Sequence, residues 1–173
     1  MINYRLNQSV VGPVERAEAA KNAASDQLAA VRWARLNAST YGLDTSRIAL
    51  CGSSAGAMAS LVAGTSGLYT DLLNRNSSHA GQPNSVDAVV EISGGTDVGF
   101  LDGTDPDICI IHGGADNVIP VINAQNIAQA AYAAGIPFDI KIIAGAPHHM
   151  ARLPQHLPVI CKFTRDFLIS HFI

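Results

Sequence analysis

Short apolar runs of strand length alternate along this chain with segments of helical period, and that alternation leaves few folds open. Arg47 to Cys51, Ala88 to Ile92, Ile108 to Ile111 and Asp139 to Ile143 read as strands. The middle two look like continuous apolar strands of a parallel sheet covered on both faces. Ile2 to Leu6 reads as a further short extended segment, punctuated by Gly12-Pro13. Between strands, Ala24, Leu28, Val31, Ala34 and Ala38 mark one face of a helix over about Glu15 to Tyr41, stopped by Gly42. Ala55 to Ala63 is a helix of small residues closed by Gly64. Pro120 starts another, with Ala124, Ile127, Ala128 and Ala131 on one face and Gly135 at its end. Leu157 to Ile169 forms a closing helix with Ile160, Phe163 and Phe167 inward. The stretch Thr65 to Ser85, rich in Ser, Asn and Gly, reads as irregular. The sequence thus predicts an α/β three-layer sandwich around a mostly parallel sheet of about five strands. One domain spans residues 1–173, because two would leave each with a marginal core.

Composition narrows the function classes. Hydrophobic residues make up 48% and charged residues 14% of the chain, which excludes a disordered protein. A net charge of -3 with no cluster of Lys or Arg argues against nucleic-acid binding. No apolar run approaches the roughly 18 residues of a membrane span. Cys51, Cys109 and Cys161 form neither a CxxC pair nor a zinc spacing, so no metal site is expected. No Walker A or GxGxxG motif is present, and no cofactor is expected. No basic-then-apolar leader follows Met1, which makes the cytoplasm the default location.

In parallel sheets, ligands bind at the carboxyl ends of the strands. Those ends carry Gly52-Ser53-Ser54-Ala55-Gly56, Ser93-Gly94-Gly95-Thr96-Asp97, His112-Gly113-Gly114-Ala115-Asp116 and Gly145-Ala146-Pro147-His148-His149. Gly52-x-Ser54-x-Gly56 lies between a strand and a helix, the context of a nucleophile elbow. A sharp turn there lifts Ser54 Oγ above the sheet edge and aims the Ala55 N–H, at a helix start, where an oxyanion would form. A serine hydroxyl needs a histidine to take its proton, and the histidine needs a carboxylate to fix its tautomer. Asp116 and His148 each follow their own strand, in the chain order Ser, Asp, His. Asp97 is the alternative acid, since it also follows a strand. His149 is the alternative base, although the tight turn Gly145-Ala146-Pro147 presents His148 first. His112 reads as structural, beside the Asp116 loop.

Several segments resemble the α/β-hydrolase carboxylesterases. They are Tyr4-Arg5-Leu6, Asp26 with Ala30-Val31-Arg32-Trp33, Tyr41-Gly42-Leu43-Asp44, Gly52-Ser53-Ser54-Ala55-Gly56-Ala57, His112-Gly113-x-x-Asp116-x-x-Ile119-Pro120 and Gly145-Ala146-Pro147-His148. The resemblance implies a minimal α/β-hydrolase fold that cleaves carboxylic esters with Ser54, Asp116 and His148 as triad. It makes the Ala55 N–H one oxyanion donor. In the family, Tyr-Arg-Leu belongs to the fourth strand, and the His-Gly-Gly loop that gives the second donor lies upstream of it. The sequence given begins at Met1, so that donor is expected to be absent, at a cost of about 3 kcal/mol, or replaced from Asn7 to Gly12.

Only the polar stretch Thr65 to Ser85 is available as a cap, so no large one is expected and the site should be shallow. A shallow site suits short acyl chains, or bulky and polymeric esters. Two other readings share these residues. One is a non-catalytic or weakly active hydrolase-fold remnant that serves as a binding or dimerising module; the other is a serine peptidase or amidase. Without the family's third strand, Arg47 to Cys51 lacks one neighbour unless Ile2 to Leu6 pairs with it. A homo-oligomer, by default a two-fold dimer, is therefore expected, with the N-terminal half at the interface.

Overall fold

In the computed structural model, residues 2–6, 12–65, 71–95 and 101–172 are described. Among them, four parallel strands form one sheet in the order β1-β2-β3-β4: Ala49–Ser53, Ala88–Ile92, Asp107–Gly113 and Phe138–Ile143. Six helices accompany them: α1 Pro13–Leu36, α2 Ala38–Tyr41, α3 Ala55–Gly64, α4 Leu72–Arg75, α5 Ile122–Ala134 and α6 Leu157–Phe172. A 3-10 turn over Met150–Arg152 precedes α6.

Strand alternation divides the core into two layers. Ala88, Val90 and Ile92 of β2, with Cys109 and Ile111 of β3, pack against Met150, Ile160 and Phe167 on the α6 side. Val89, Ile108 and Ile110 face the other way, onto Leu61 of α3 and Ala124, Ile127 and Ala131 of α5. On that same side α1 covers β1, through Ala24, Leu28 and Val31 against Leu50, Val62 and Ala63. This is the three-layer sandwich that the sequence predicts.

The fifth strand is the correction. Ile2 to Leu6 makes no sheet pairing. Its backbone is committed elsewhere: the Arg5 N–H donates to Asp26 Oδ2 at 2.8 Å, and the Arg5 guanidinium also binds that carboxylate. A side chain of α1 thus takes a donor that a strand ladder would need. β1 consequently pairs with β2 alone among the described residues. The long helix also breaks where the sequence reads as continuous. Asn37 Nδ2 donates to the Trp33 carbonyl at 2.8 Å, and α1 ends at Leu36 before the short α2. Among the described residues, the irregular stretch before β2 holds one short helix, α4.

That stretch is fixed by a buried cation. Arg32 is 1% exposed, and its Nε and Nη2 donate to the carbonyls of Ser78 and Asn76 at 2.8 and 2.7 Å. Burial lowers its pKa, yet it stays cationic and binds peptide dipoles rather than a carboxylate. Arg32→Met keeps the apolar stem and removes both bonds. Chemical denaturation should show a loss of about 2–4 kcal/mol. An unchanged midpoint would mean that these carbonyls do not depend on the guanidinium.

Candidate active site

Ser54 sits between β1 and α3 with φ 56 and ψ -122, a conformation that L-residues rarely adopt. Close approach of the turn makes it possible. A Cβ on Gly52 would fall 2.2 Å from the backbone carbonyl of Gly56, so only glycine lets strand and helix cross there. The elbow is anchored to the sheet, because the Ser54 N–H donates to the Ile92 carbonyl at 2.9 Å. Ala57 and Met58 N–H both donate to the Ser54 carbonyl, which starts α3. Ala55 occupies the first position of that helix and is exposed. Its N–H has no carbonyl one turn back to bind, and it carries the positive end of the helix dipole.

The acid and histidine loops are joined to each other by backbone. Gly114 N–H donates to the Ile143 carbonyl at 2.8 Å, and Ala115 N–H to the Ala146 carbonyl at 3.0 Å. A Cβ on Gly113 would meet that Ala146 oxygen at 2.3 Å, so this joint too requires glycine. The result brings three side chains into line. Ser54 Oγ lies 2.7 Å from His148 Nε2, and His148 Nδ1 lies 2.7 Å from Asp116 Oδ2. Asp116 Oδ1 accepts the N–H groups of Val118 and Ile119, each at 2.9 Å. Its side chain is closed to solvent, while that of His148 is 13% exposed.

Burial pushes the Asp116 pKa up, but His148 and the two backbone N–H groups outweigh it and hold the carboxyl below its usual range. A carboxylate so held can accept only, which leaves His148 Nδ1 as donor and Nε2 free to accept from Ser54. The arrangement can therefore draw the hydroxyl proton from Ser54.

His149 is exposed and precedes the 3-10 turn without a side-chain hydrogen bond to it. Asp97 lies outside the described residues, as do positions 7–11 of the Asn7 to Gly12 segment. No group of three or more metal-ligating side chains occurs among the described residues. Sequence reading missed Glu91, which is fully buried near the carboxyl end of β2. The signal was present: one carboxylate inside a strand covered on both faces demands a partner. Beside the elbow, a cavity of about 260 Å³ is bordered by Tyr4, Ala20, Ala23, Ala55 and Met58.

The BD-FAE family model matches residues 1–104. No curated protein sequence matches the chain. Among solved structures, a truncated form of a carbohydrate esterase from gut microbiota is 25% identical, with 94% of this chain and 72% of that one covered and a TM-score of 0.75. Esterase 2 of Thermogutta terrifontis in its apo form is 20% identical over 97% of this chain and 69% of its own, with a TM-score of 0.77. An acetyl ester-xyloside bifunctional hydrolase from Caldicellulosiruptor lactoaceticus is 19% identical over the same shares, 97% and 69%, at a TM-score of 0.74. The chain spans 64% of the native form of the Thermogutta enzyme, just under two thirds of its length. At these lower identities the likeness is one of fold.

The depressed Asp116 pKa has a sign in stability. It contributes stability above the unfolded carboxyl pKa, near pH ~4, and that contribution is lost as pH falls through the folded value. Acid titration of unfolding should therefore be shallower for Asp116→Asn than for the parent chain. Parallel curves would mean that the carboxylate is not held as described.

Proposed function

Because the chain belongs to the BD-FAE family of α/β-hydrolase-type esterases, we propose that it cleaves carboxylic esters through an acyl-enzyme on Ser54. One observation carries this reading: the unbroken hydrogen-bonded line Ser54–His148–Asp116, at 2.7 Å on each link. Ser54 Oγ attacks the ester carbonyl carbon while its proton passes to His148 Nε2. The new imidazolium is stabilised by Asp116, and the tetrahedral oxyanion points to the Ala55 N–H. The bond to the alcohol oxygen then breaks, and His148 returns the proton to that oxygen. Water repeats the sequence on the acyl-Ser54 ester, giving the acid and free serine.

The substrate class follows from shape. The small cavity beside Ala55 suits a short acyl group, and the exposure of Ala55 leaves room for a bulky alcohol part. An acylated carbohydrate fits both conditions, and it is the class for which the gut-microbiota relative is named.

We also propose that two copies associate. Among the described residues no strand pairs with the outer edge of β1, and beside it an apolar groove of about 660 Å³ runs between Cys51, Ile92, Ile160 and Leu168. A two-fold contact closes such a patch on itself. Light scattering at micromolar concentration should then give twice the 18.1 kDa chain mass. A monodisperse monomer would refute the association.

Ser54→Ala and His148→Ala should each lower turnover of short-chain p-nitrophenyl esters by about four to six orders of magnitude, with the fold intact. Asp116→Asn should cost about four orders. A fluorophosphonate should label Ser54 in the parent chain. Absence of both labelling and turnover would favour the binding-module reading, and a dead His149→Ala beside an active His148→Ala would move the base.

A further inference from the structure

Two buried groups that this chemistry does not use lie directly behind it. Glu91 and His112 are both 0% exposed. Alternation along β2 and β3 sets them in the same layer as Val89, Ile108 and Ile110, amid aliphatic side chains. Burying a carboxylate there is costly unless a cation answers it.

Glu91 Oε2 accepts the Gly94 N–H at 2.6 Å. Its Oε1 has no hydrogen-bond partner, and His112 Nδ1, 4.0 Å away, has none either. On the other side of the ring, Nε2 lies 2.9 Å from the Ile119 carbonyl and 3.3 Å from Asp116 Oδ2. Carbonyl and carboxylate oxygens only accept, so Nε2 carries a proton. If Nδ1 were bare, two buried acceptors would face each other across that 4.0 Å gap. A proton on Nδ1 turns this repulsion into an ion pair.

We propose that Glu91 keeps His112 doubly protonated, and that the imidazolium holds Asp116 in the orientation His148 requires. The proposal rests on reading Ser54, His148 and Asp116 as the triad. His112 is then a positioning residue, and Glu91 sets its charge. The groups facing it are Glu91 from β2, Asp116 from the acid loop and, across Asp116, His148. The thiol of Cys109, earlier on β3, is pushed up to about 12, first by burial and then by Asp139, Cys51 and Glu91, and stays neutral. Burial pushes the His112 pKa down, but Glu91, the Ile119 carbonyl and Asp116 outweigh it and leave it raised. Stability from this pair is therefore full below the ordinary histidine pKa, near ~6.5, and lost as pH rises through the folded value.

The test uses the intact chain with Glu91→Gln, His112→Gln and His112→Leu, followed by imidazole nitrogen NMR and by kcat and KM on a short-chain ester. In the parent at about pH 7, both His112 nitrogens should be protonated; in Glu91→Gln, only one. The downfield proton between His148 Nδ1 and Asp116 should be sharp in the parent and broadened in Glu91→Gln and His112→Leu. For those two variants kcat should fall by about a hundredfold, with KM little changed. His112→Gln keeps an N–H for the Ile119 carbonyl without the charge, and should fall between parent and His112→Leu. A singly protonated His112 in the parent overturns the proposal, as does a His112→Leu chain with parental kcat or an undisturbed His148–Asp116 proton. If Glu91→Gln does not fold, the parent spectrum and the two His112 variants still decide. A parent without ester turnover would sink the triad reading alone, since the two NMR readouts need no substrate.

Discussion

One carboxylate organises this edge of the molecule. Asp116 receives two backbone N–H groups on Oδ1 and His148 on Oδ2, with His112 beside it. Each contact comes from a different part of the chain: its own loop, the loop after β4 and the end of β3. The contact from His148 requires β3 and β4 in register and their following loops joined through Ala115 and Ala146. The position of the carboxylate thus depends on the sheet. The line from His148 to Ser54 depends in turn on the carboxylate.

Much of this was legible in the sequence because it lies in local patterns. Strand and helix alternate, so each loop after a strand falls on one edge, and Ser54, Asp116 and His148 each lie in the turn or loop after a strand. The bounds of α3 and of β2 could be read to within a residue because small and apolar residues dominate both segments. What escaped reading depends on distant partners. Ile2 to Leu6 has the composition of a strand, but the Asp26 carboxylate captures its Arg5 N–H, and nothing local announces that. Glu91 was passed over inside an apolar run because its partner, His112, is on the next strand and visible only once β2 and β3 are aligned. The break after Leu36 depends on a single amide reaching back one turn, a choice that hydrophobic period does not encode.

The two sides of the sheet differ in how completely they are closed. Among the described residues, α1, α3 and α5 share one face, whereas α6, with Met150 of the turn before it, covers the other. Around β1 that second face remains an apolar groove in which Cys51 and Cys161 are exposed.

The backbone of Ser54 has a consequence for how such a chain wears under selection. Holding a non-glycine residue at φ 56 costs on the order of 1–3 kcal/mol, a substantial share of what keeps a domain of this size folded. The packing of α3 against the sheet must supply that energy continuously, whether or not substrate is present. Under the proposed function, heat resistance and rate therefore pull in opposite directions at one codon. A lineage that lost the need for turnover would gain durability from glycine there, and the first trace of its retirement would be a more robust fold.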